Sequence, residues 1–397
     1  MLKDKQVIIG VTGGIAVYKA VELLRLLTKS GADVHIIMTK AAQEFVRPLT
    51  FQTLSANPVY TDLFSLISEQ QIGHISLADR TDLVIIAPAT ANIVGKLACG
   101  IADDMLTTTV MATKAKVLIA PAMNVNMYNN PIYRDNEERL RSLGYLFVAP
   151  ETGELACGWV GQGKLAAPET ILEAACAALT PKTLNGKTIL VTAGPTREEI
   201  DPVRYISNHS SGKMGYALAS AAQRRGARVI LISGPVNLAA PPGVELLKIE
   251  TAAEMRDMVM AKVKECAVVI KAAAVADYRP AEQKKIKIKK KADELALRLV
   301  KNPDILAELG QMKKRPFLVG FAAETNSLEA NAARKIEEKN LDIIVANDVS
   351  QPDAGFNVDT NRAKIFFRDG RHMAYPLMSK NELAAVILNH ITAAISP

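Results

Sequence analysis

The chain of 397 residues is longer than one hydrophobic core usually supports, so its length predicts two domains, or at most three. Apolar residues make up 49% and charged residues 22%, which excludes a disordered or fibrous protein. The formal net charge of +7 is compatible with nucleic acid, a membrane surface or phosphorylated small molecules as partners, and charge alone does not choose among them.

The first apolar run passes directly into a glycine turn, too short and wrongly flanked for a signal peptide or a spanning helix. We therefore predict a cytoplasmic protein with no membrane partner. The four cysteines form no CxxC pair and have no His at ligand spacing, so they indicate neither a zinc site nor a disulfide framework.

In the first half of the chain, β-branched apolar runs alternate with segments of helix length. The runs are VIIGVTG (7–13), VHIIMT (34–39), LVIIAPAT (83–90) and KVLIAPAM (116–123). Strands buried on both faces read as continuous apolar runs, so the pattern predicts a parallel sheet wound by helices. Ligands of such sheets bind where the carboxyl ends of strands meet helix N-termini and glycine turns.

Three of these strand ends carry groups that suit a ligand. The segment GVTGGIAVYKA (10–20) turns through Gly13-Gly14 and opens a helix, so its bare backbone N–H groups could hold a phosphate. Its spacing is not GxGxxG, and a glycine turn with only a packing role is the alternative. PATAN (88–92) and PAMNVNMY (121–128) each place an Asn beyond a buried strand, where it could bind a ring edge or a carboxylate, or stabilise a turn.

Two further residues could carry acid-base or thiol chemistry. His74 lies among small and apolar residues in QIGHISLAD (71–79), where burial could move its titration into a catalytic range. A hydrogen-bonded core histidine is the alternative. Cys157 lies in TGELACGWVGQGKLA (152–166), a loop dense in glycine, which indicates a reachable thiol.

The glycine turn, the GHI histidine, PATAN, PAMN followed by Met127, and the ACG loop occur in an order that resembles the flavoprotein family of phosphopantothenoylcysteine decarboxylases. The resemblance implies an FMN-dependent decarboxylase domain over residues 1–180. It implies active-site roles for His74 and Asn124, and Cys157 as the proton donor. The implied FMN contacts are Gly13, Gly14, Ile15, Thr90, Ala91 and Asn92.

Two positions depart from that family's pattern. Tyr128 stands where Trp is usual, and Lys164 stands where Arg is usual. Lys cannot reproduce a bidentate Arg contact, so the details of substrate contact could differ here.

After a connector around Thr180-Pro181-Lys182 the strand pattern restarts. The second series is TILVTAG (188–194), RVILISG (228–234), VVIKAAAVAD (268–277), FLVGFAAE (317–324) and DIIVAND (342–348). We therefore predict two α/β domains joined near residues 180–187, each a doubly wound, Rossmann-like parallel sheet.

In the second half, the segment 192–219 leaves a strand and opens a helix at Ser210-Ser211-Gly212-Lys213. It is not a Walker A motif, because Ser207 stands where the first Gly belongs, but hydroxyls and a lysine at a helix N-terminus could hold a phosphate. AAAVADYRP (272–280) ends a strand in small residues and Asp277, a place for a nucleobase edge or a metal-bridged phosphate.

The run KKIKIKKKADE (284–294) interleaves lysines with two isoleucines. Such a run is typical of a solvated, nonspecific patch, and a mobile strand that folds over a triphosphate is the alternative. Nucleic-acid binding would favour aromatic rings between the lysines, and none is present, so we expect no nucleic-acid partner.

These blocks, with VKNPDIL (300–306) and GFAAET (320–325), resemble phosphopantothenate-cysteine ligase in its CTP-using bacterial form, over residues 186–397. The resemblance implies that Asn208 stabilises the acyl intermediate and that Lys287 is catalytic, with Lys285 as the alternative register. The implied CTP contacts are Ala272, Ala273, Asp277, Lys287, Pro303, Asp304, Ile305, Leu306, Phe321, Lys335 and Lys339.

The fusion of these two parts is characteristic of a bacterial bifunctional protein of coenzyme A synthesis. The resemblance therefore implies CTP, 4'-phosphopantothenate and cysteine as substrates, with Mg²⁺ accompanying CTP and no metal ligands assigned. It also implies a homo-oligomer, a dodecamer built from trimers of the flavin domain and dimers of the ligase domain.

Three other functions compete with this interpretation. A prenylated-flavin synthase or a generic nucleotide-dependent oxidoreductase would explain neither Cys157 in its loop nor the second half of the chain. A flavin-binding regulatory protein would be expected to lose the histidine or the cysteine, and both are present.

Overall fold

The computed structural model describes residues 2–63, 73–154, 158–289, 295–324, 328–348 and 358–395. The chain folds into two compact units, Met1–Thr180 and Pro181–Pro397. None of the helices in these ranges is long and apolar enough to cross a membrane.

The first unit is built on a sheet of parallel strands. These are β1 (Gln6–Val11), β2 (Asp33–Met38), β3 (Val59–Tyr60), β4 (Leu83–Ala89), β5 (Lys116–Pro121) and β6 (Leu146–Phe147). Their order in the sheet is β3-β2-β1-β4-β5-β6, and every pair is parallel. An antiparallel hairpin of β7 (Glu151–Glu154) and β8 (Val160–Lys164) follows the sheet.

Helices cover both faces of this sheet. They are α1 (Val17–Lys29), α2 (Pro48–Ser55), α3 (Gly73–Arg80), α4 (Ala91–Ala98), α5 (Met105–Ala112), α6 (Val125–Tyr128), α7 (Pro131–Ser142) and α8 (Pro168–Leu179), with a 3₁₀ turn at Lys40–Glu44. One core cluster packs α1 and α8 on the sheet, and a second packs α4, α5 and α7 on its other face. Leu23, Leu24 and Leu27 recur at helical spacing on α1, and burial of each stabilises the unit by roughly 1.5 to 3 kcal/mol.

The second unit repeats this plan and extends it. Its strands are β9 (Thr188–Ala193), β10 (Arg197–Asp201), β11 (Arg204–Ser207), β12 (Arg228–Ser233), β13 (Glu245–Lys248), β14 (Val268–Lys271), β15 (Tyr278–Pro280), β16 (Leu299–Lys301), β17 (Phe317–Glu324), β18 (Ile343–Asp348), β19 (Thr360–Asn361), β20 (Ala363–Phe367), β21 (His372–Ala374) and β22 (Met378–Ser379). The main sheet has the order β13-β12-β9-β14-β17-β18-β20-β21. The first six strands in that order are parallel, and β20 and β21 are antiparallel.

The helices of the second unit divide between the two faces of the sheet. They are α9 (Lys213–Arg224), α10 (Ala252–Lys262), α11 (Ile305–Gly310), α12 (Leu328–Glu338) and α13 (Lys380–Ile395), with a 3₁₀ turn at Val263–Glu265. Helices α9 and α13 share one core cluster, whereas α10, α11 and α12 share the other.

The prediction of doubly wound parallel sheets is confirmed in both units. The sequence did not predict the antiparallel strands β20 and β21 or the two-stranded ribbons. In each main sheet the strand order reverses beside the first strand, at β1 and β4 and at β9 and β14. Open parallel sheets bind ligands at the carboxyl ends of strands at such a reversal, so these two edges locate the candidate sites.

Candidate functional site

Thr12 ties together the two loops at the reversal of the first sheet. Its buried hydroxyl donates to the Pro88 carbonyl oxygen at 2.6 Å and accepts from the Thr90 backbone N–H at 3.1 Å. Thr90 then caps α4, because its side chain accepts from the Ile93 N–H. The loops that hold the predicted residues 13–15 and 90–92 therefore lie side by side.

The glycine turn after β1 is tightly confined. A Cβ atom at Gly13 would lie 2.5 Å from the Ala41 Cβ, so the backbone could not keep this path with a larger residue. No side-chain hydrogen bond caps the start of α1 at Ala16, and Ile15 beside it is 60% exposed. Open N–H groups at a helix N-terminus bind phosphate groups well.

Asn124 lies on the same edge of the sheet, directly after β5. It caps the short helix α6, and its side chain accepts from the Asn126 N–H at 2.8 Å. Strand β8 packs on this loop, where the Met123 N–H donates to the Gly163 carbonyl oxygen at 3.0 Å. Gly163 has a φ of +155°, and a Cβ there would lie 2.3 Å from the Met123 carbonyl oxygen, so the contact requires glycine.

Cys157 lies between β7 and β8 and falls outside the described residues, 155–157 being omitted from them. Its predicted role is therefore not tested by the structure. The described hairpin strand β8 is packed against the loop that carries Asn124.

His74 is the second residue of α3 and is half-buried. Its Nδ1 atom is buried and has no hydrogen-bond partner in the part of the chain that the structure describes. Buried polar atoms are nearly always paired, so an orphaned ring nitrogen indicates a partner supplied by a ligand. A core histidine would have its buried ring nitrogens hydrogen-bonded within the protein. Among the described residues, the Nδ1 atom of His74 does not fit that alternative.

The two positions that depart from the family pattern have different environments. Tyr128 is buried, with its ring 5.5 Å from the Tyr133 ring and 4.7 Å below the Arg134 guanidinium. The Tyr128 ring is therefore part of the packed core beside α7. Lys164 is exposed on β8 opposite Glu151.

In the second unit a cavity of about 560 Å³ lies at the carboxyl edge of the sheet. It brings together most of the residues predicted for the nucleotide and the acyl intermediate. These are Asn208, Ala272, Ala273, Asp277, Leu306, Phe321, Lys335 and Lys339. Pro303, Asp304, Ile305 and Lys287 are not among the lining residues.

The loop after β14 is fixed by hydrogen bonds from three directions. The Ala276 N–H donates to the Thr196 hydroxyl at 3.0 Å, and the buried Asn302 side chain donates to the Ala276 carbonyl oxygen at 2.8 Å. The Asn208 side chain donates to the Val275 carbonyl oxygen at 3.0 Å. These hydrogen bonds fix the loop that forms the cavity wall, and they fix the Asn208 side chain against it.

Asp304 supports the cavity from behind. It caps α11 by accepting from the Ala307 N–H at 3.1 Å, and its carboxylate pairs with the Lys339 ammonium at 2.8 Å. Burial opposes ionisation of Asp304, but the hydrogen bonds from Lys339 and the Ala307 N–H, together with the charges of Lys339 and Lys271, outweigh it and lower the pKa of the carboxyl.

Lys271 lines the same cavity and was not predicted. Burial, together with the positive charge of Lys339, lowers the pKa of Lys271 to about 8. Its position at the end of a buried strand was the signal available in the sequence. Lys213, Lys380, Asn347 and Asn361 also line the cavity, and of these only Lys213 was noted as a possible phosphate contact.

The described part of the lysine run, residues 284–289, lies along β10 rather than over the cavity. The Lys284 N–H donates to the Ile200 carbonyl oxygen at 3.0 Å, and the Ile288 N–H donates to the buried Asp201 carboxylate at 3.0 Å. Arg204 binds the same carboxylate and also donates to the Ile288 carbonyl oxygen at 2.9 Å. Lys287 and Lys285 between these anchors are exposed.

The cavity reaches both faces of the sheet. Lys335 belongs to α12 and Lys339 follows it, on the face of α10, α11 and α12, whereas Lys213 and Lys380 begin α9 and α13 on the opposite face. We call the part of the cavity lined by Lys335 and Lys339 the α12 arm, and the part lined by Lys213 and Lys380 the α9 arm. Such a site can hold two substrates that meet at the edge of the sheet.

No group of three or more His, Cys, Asp or Glu side chains in the described ranges could hold a metal ion. Two carboxylates, those of Asp277 and Asp304, lie at or behind the cavity, and Asp304 already pairs with Lys339. A metal at this cavity would therefore depend on oxygen ligands from a bound phosphate.

Comparison with known proteins gives matches over both units. Residues 1–180 match the family described as Flavoprotein, and residues 184–395 match the family described as DNA/pantothenate metabolism flavoprotein C-terminal domain. A coenzyme A biosynthesis bifunctional protein CoaBC of Bacillus subtilis (strain 168) is 52% identical over 397 residues, covering 99% of this chain and 98% of that relative.

The protein of the same description from Escherichia coli (strain K12) is 48% identical over 395 residues, covering 98% of this chain and 97% of that relative. A solved structure of the C-terminal domain of a CoaBC protein is 43% identical and covers 54% of this chain and 98% of that chain, with a TM-score of 0.47.

Proposed function

The chain belongs to the family of coenzyme A biosynthesis bifunctional CoaBC proteins, and from that premise we propose which residues of each unit carry its two reactions. It is a bifunctional enzyme, a phosphopantothenate-cysteine ligase and a phosphopantothenoylcysteine decarboxylase. The ligase uses CTP and the decarboxylase uses FMN.

We assign the decarboxylase to residues 1–180 and the ligase to residues 186–397. The observation that carries this assignment is a difference between the two sheets. At the reversal of the second sheet the cavity is lined by lysines, whereas at the same place in the first sheet the chain forms a glycine turn without charged side chains. A triphosphate requires several cations, whereas the single phosphate of FMN is well served by backbone N–H groups.

In the ligase unit, we propose that CTP occupies the α12 arm. Lys335, Lys339 and Lys271 face its phosphates, Asp277 contacts the nucleotide, and Ala272, Ala273, Leu306 and Phe321 line the space for its base and ribose. Pro303, Asp304 and Ile305 shape the start of α11 behind them. For Lys287 to reach the phosphates, residues 284–289 must leave β10.

The ligation proceeds in two steps. A carboxylate oxygen of 4'-phosphopantothenate attacks the α-phosphorus of CTP and pyrophosphate leaves, which gives an acyl-cytidylate. The amine of cysteine then attacks the acyl carbon, and CMP leaves with the electron pair of the broken C–O bond. Asn208, held by its hydrogen bond to Val275, would steady the oxyanion formed between these events.

Mg²⁺ is proposed as the companion of CTP. Mg²⁺ commonly uses one or two carboxylates, several waters and the phosphate oxygens of its nucleotide. Asp277 in the cavity wall is the carboxylate available for that role.

The first unit fits FMN at the confined glycine turn, which Thr12 holds beside the loop of Thr90. When bound, FMN supplies a two-electron acceptor that makes loss of the substrate carboxylate possible. Gly13, Gly14 and Ile15 would hold its phosphate, and Thr90, Ala91 and Asn92 would contact its ring.

The remaining groups of the first unit act on the substrate. His74 would serve as a base or polarise the substrate through its free ring nitrogen, and Asn124 would bind the substrate carboxylate or amide. Cys157 would deliver the final proton, and its hairpin is packed on the loop of Asn124.

We also propose a homo-oligomer, a dodecamer of trimeric first units and dimeric second units. Exposed apolar side chains support self-association, among them Leu49 and Ile132 in the first unit and Val203 and Ile286 in the second. The free thiols of Cys99 and Cys266 support a reducing, cytoplasmic location.

One experiment tests the residue assignments of both units. Mass spectrometry of reactions with CTP, 4'-phosphopantothenate and cysteine should show that Asn208→Ala accumulates the acyl-cytidylate. Cys157→Ser should accumulate an oxidised product that has already lost CO₂. Variants that yield neither species while their overall rates fall would overturn these roles.

A further inference from the structure

Two asparagines in the wall of the cavity have amide oxygens without a donor. The Oδ1 atoms of Asn347 and Asn361 are buried, and neither has a hydrogen-bond partner in the described part of the chain. Asn361 is only 2% exposed. Because buried acceptors are almost always paired, two orphaned oxygens that face one cavity indicate a ligand that donates hydrogen bonds.

The fold places both asparagines in the α9 arm. Along β18, Val345 packs in the core cluster of α9 and α13, and Ile344 and Ala346 pack in the other cluster, so Asn347 shares the face of Val345. Asn347 pairs in the sheet with Ala363, two residues after Asn361. The two asparagines therefore lie on adjacent chain segments in the wall of the same cavity.

Positive charge gathers in the same arm. The Lys213 ammonium lies 2.6 Å from the Asp359 carboxylate, and the Lys380 ammonium donates to the Val358 carbonyl oxygen. Burial, with the added charge of Lys213, lowers the pKa of Lys380, so these two cations lie close enough to disfavour one another. The Asp359 side chain in this ion pair is 86% exposed. The α9 arm thus contains two amide oxygens that can accept hydrogen bonds from a cation, and two lysines that can bind an anion.

We propose that the α9 arm is the binding site of the amino-acid substrate, and that Asn361 and Asn347 accept hydrogen bonds from its α-ammonium group while Lys380 faces its carboxylate. This inference rests on the ligase function proposed above. A zwitterion presents an ammonium and a carboxylate a few ångströms apart, which matches this pairing of acceptors and lysines. Ser210, Ser211 and Lys213 remain for the phosphate of the acid substrate.

The placement serves the second half-reaction. The ammonium loses one proton to solvent, the nitrogen forms its bond to the acyl carbon, the C–O bond to CMP breaks, and the nitrogen loses its second proton to solvent. Asn amides accept hydrogen bonds without taking protons, so Asn347 and Asn361 position the nitrogen and do not act as bases.

The test measures ligase kinetics of the full-length protein with Asn361→Leu and Asn361→Asp. Loss of hydrogen bonds to a charged group should raise the KM for cysteine about 10- to 100-fold in Asn361→Leu. The KM values for CTP and 4'-phosphopantothenate, and pyrophosphate release without cysteine, should stay unchanged. Asn361→Asp keeps an acceptor and should hold the KM for cysteine within a few-fold of the parent.

Asn347→Ala serves as a second variant if Asn361→Leu does not fold, and Asn381→Leu, at an exposed asparagine beside Lys380, is the matched control. A raised KM for the acid or for CTP, or loss of pyrophosphate release, would assign the amides to another substrate and overturn the inference. A KM for cysteine that is unchanged in Asn361→Leu and in Asn347→Ala would overturn it as well. Failure of the parent protein to release pyrophosphate would instead refute the ligase function.

Discussion

The two units build the same order of parallel strands and collect different charges at the same place in it. At the reversal of the first sheet the loops offer glycines, threonines and an asparagine. At the reversal of the second sheet the cavity wall holds Lys213, Lys271, Lys335, Lys339 and Lys380. Strand order therefore fixes where a ligand binds, and the side chains at the strand ends decide which ligand it is.

Substitution of the histidine should separate the two activities most strongly. We expect His74→Asn to lower the rate of decarboxylation about 10²- to 10⁴-fold, because it removes the ring that carries the orphaned Nδ1. CMP formation from CTP, acid and cysteine in the same sample serves as the control and should keep its rate. A parallel loss of both rates would show that the units are not functionally separate.

A methyl group added at Gly234 should lower the stability of the second unit and leave that of the first unit unchanged. A Cβ at Gly234 would lie 1.7 Å from the Pro195 carbonyl oxygen, in the segment that bridges to Ala274 beside the cavity. We expect Gly234→Ala to lower the free energy of unfolding of the second unit by about 3 kcal/mol. Circular dichroism reports both units, whereas Trp159, the chain's one tryptophan, reports the first.

The Trp159 signal should therefore melt at the parent temperature while the ligase rate is lost at a lower one. The control is a substitution to alanine in the first unit that should leave stability unchanged. Ser142→Ala, at an exposed residue, meets this requirement, whereas Gly144→Ala does not because the φ of Gly144 is +92°. Equal shifts of both signals would contradict independent units.

The reciprocal change in the first unit is Thr12→Val. Valine fills the same volume but leaves the Pro88 carbonyl oxygen and the Thr90 N–H without their buried partner. We expect a loss of about 2 kcal/mol in the first unit and weaker FMN binding, measured by flavin fluorescence during titration. A parent-like flavin affinity would show that the loops at β1 and β4 do not form the flavin site.

The pH dependence of the ligase should show the smallest effect. The pKa of Lys271 is lowered to about 8, so its charge is present below that pH and is lost as the pH rises through it. Because the charged form favours a triphosphate, kcat/KM for CTP should fall several-fold above pH 8. Lys271→Arg keeps its charge and should move that fall to higher pH. The same profile in both proteins would remove Lys271 from the nucleotide site.

Much of the fold could be predicted because buried parallel strands carry a strong signal. Runs such as 83–90 and 188–194 are apolar on both faces, and β4 and β9 lie within them. The antiparallel strands β20 and β21 give short runs with no clear alternation, AKIFF and HMA, so nothing in them indicated pairing at the sheet edge.

The site could be predicted where its residues end predicted strands. Ala272 and Ala273 directly follow β14, Phe321 lies in the second half of β17, and all three line the cavity. Asn361 gave no signal, because its place in the cavity depends on the pairing of β18 with β20. The family resemblance implied Lys287, with Lys285 as the alternative register, but the anchoring of Ile288 by Asp201 is a tertiary contact that the sequence does not reveal.

The central claim is that each unit runs its own reaction and that only the first requires the flavin. The direct measurement follows CMP and CO₂ together in the full-length protein, stripped of FMN and then restored, with CTP, 4'-phosphopantothenate and cysteine. We expect the stripped protein to form CMP and phosphopantothenoylcysteine at the parent rate without CO₂, and added FMN to restore CO₂ release. CO₂ release without FMN, or loss of CMP formation on its removal, would contradict the account.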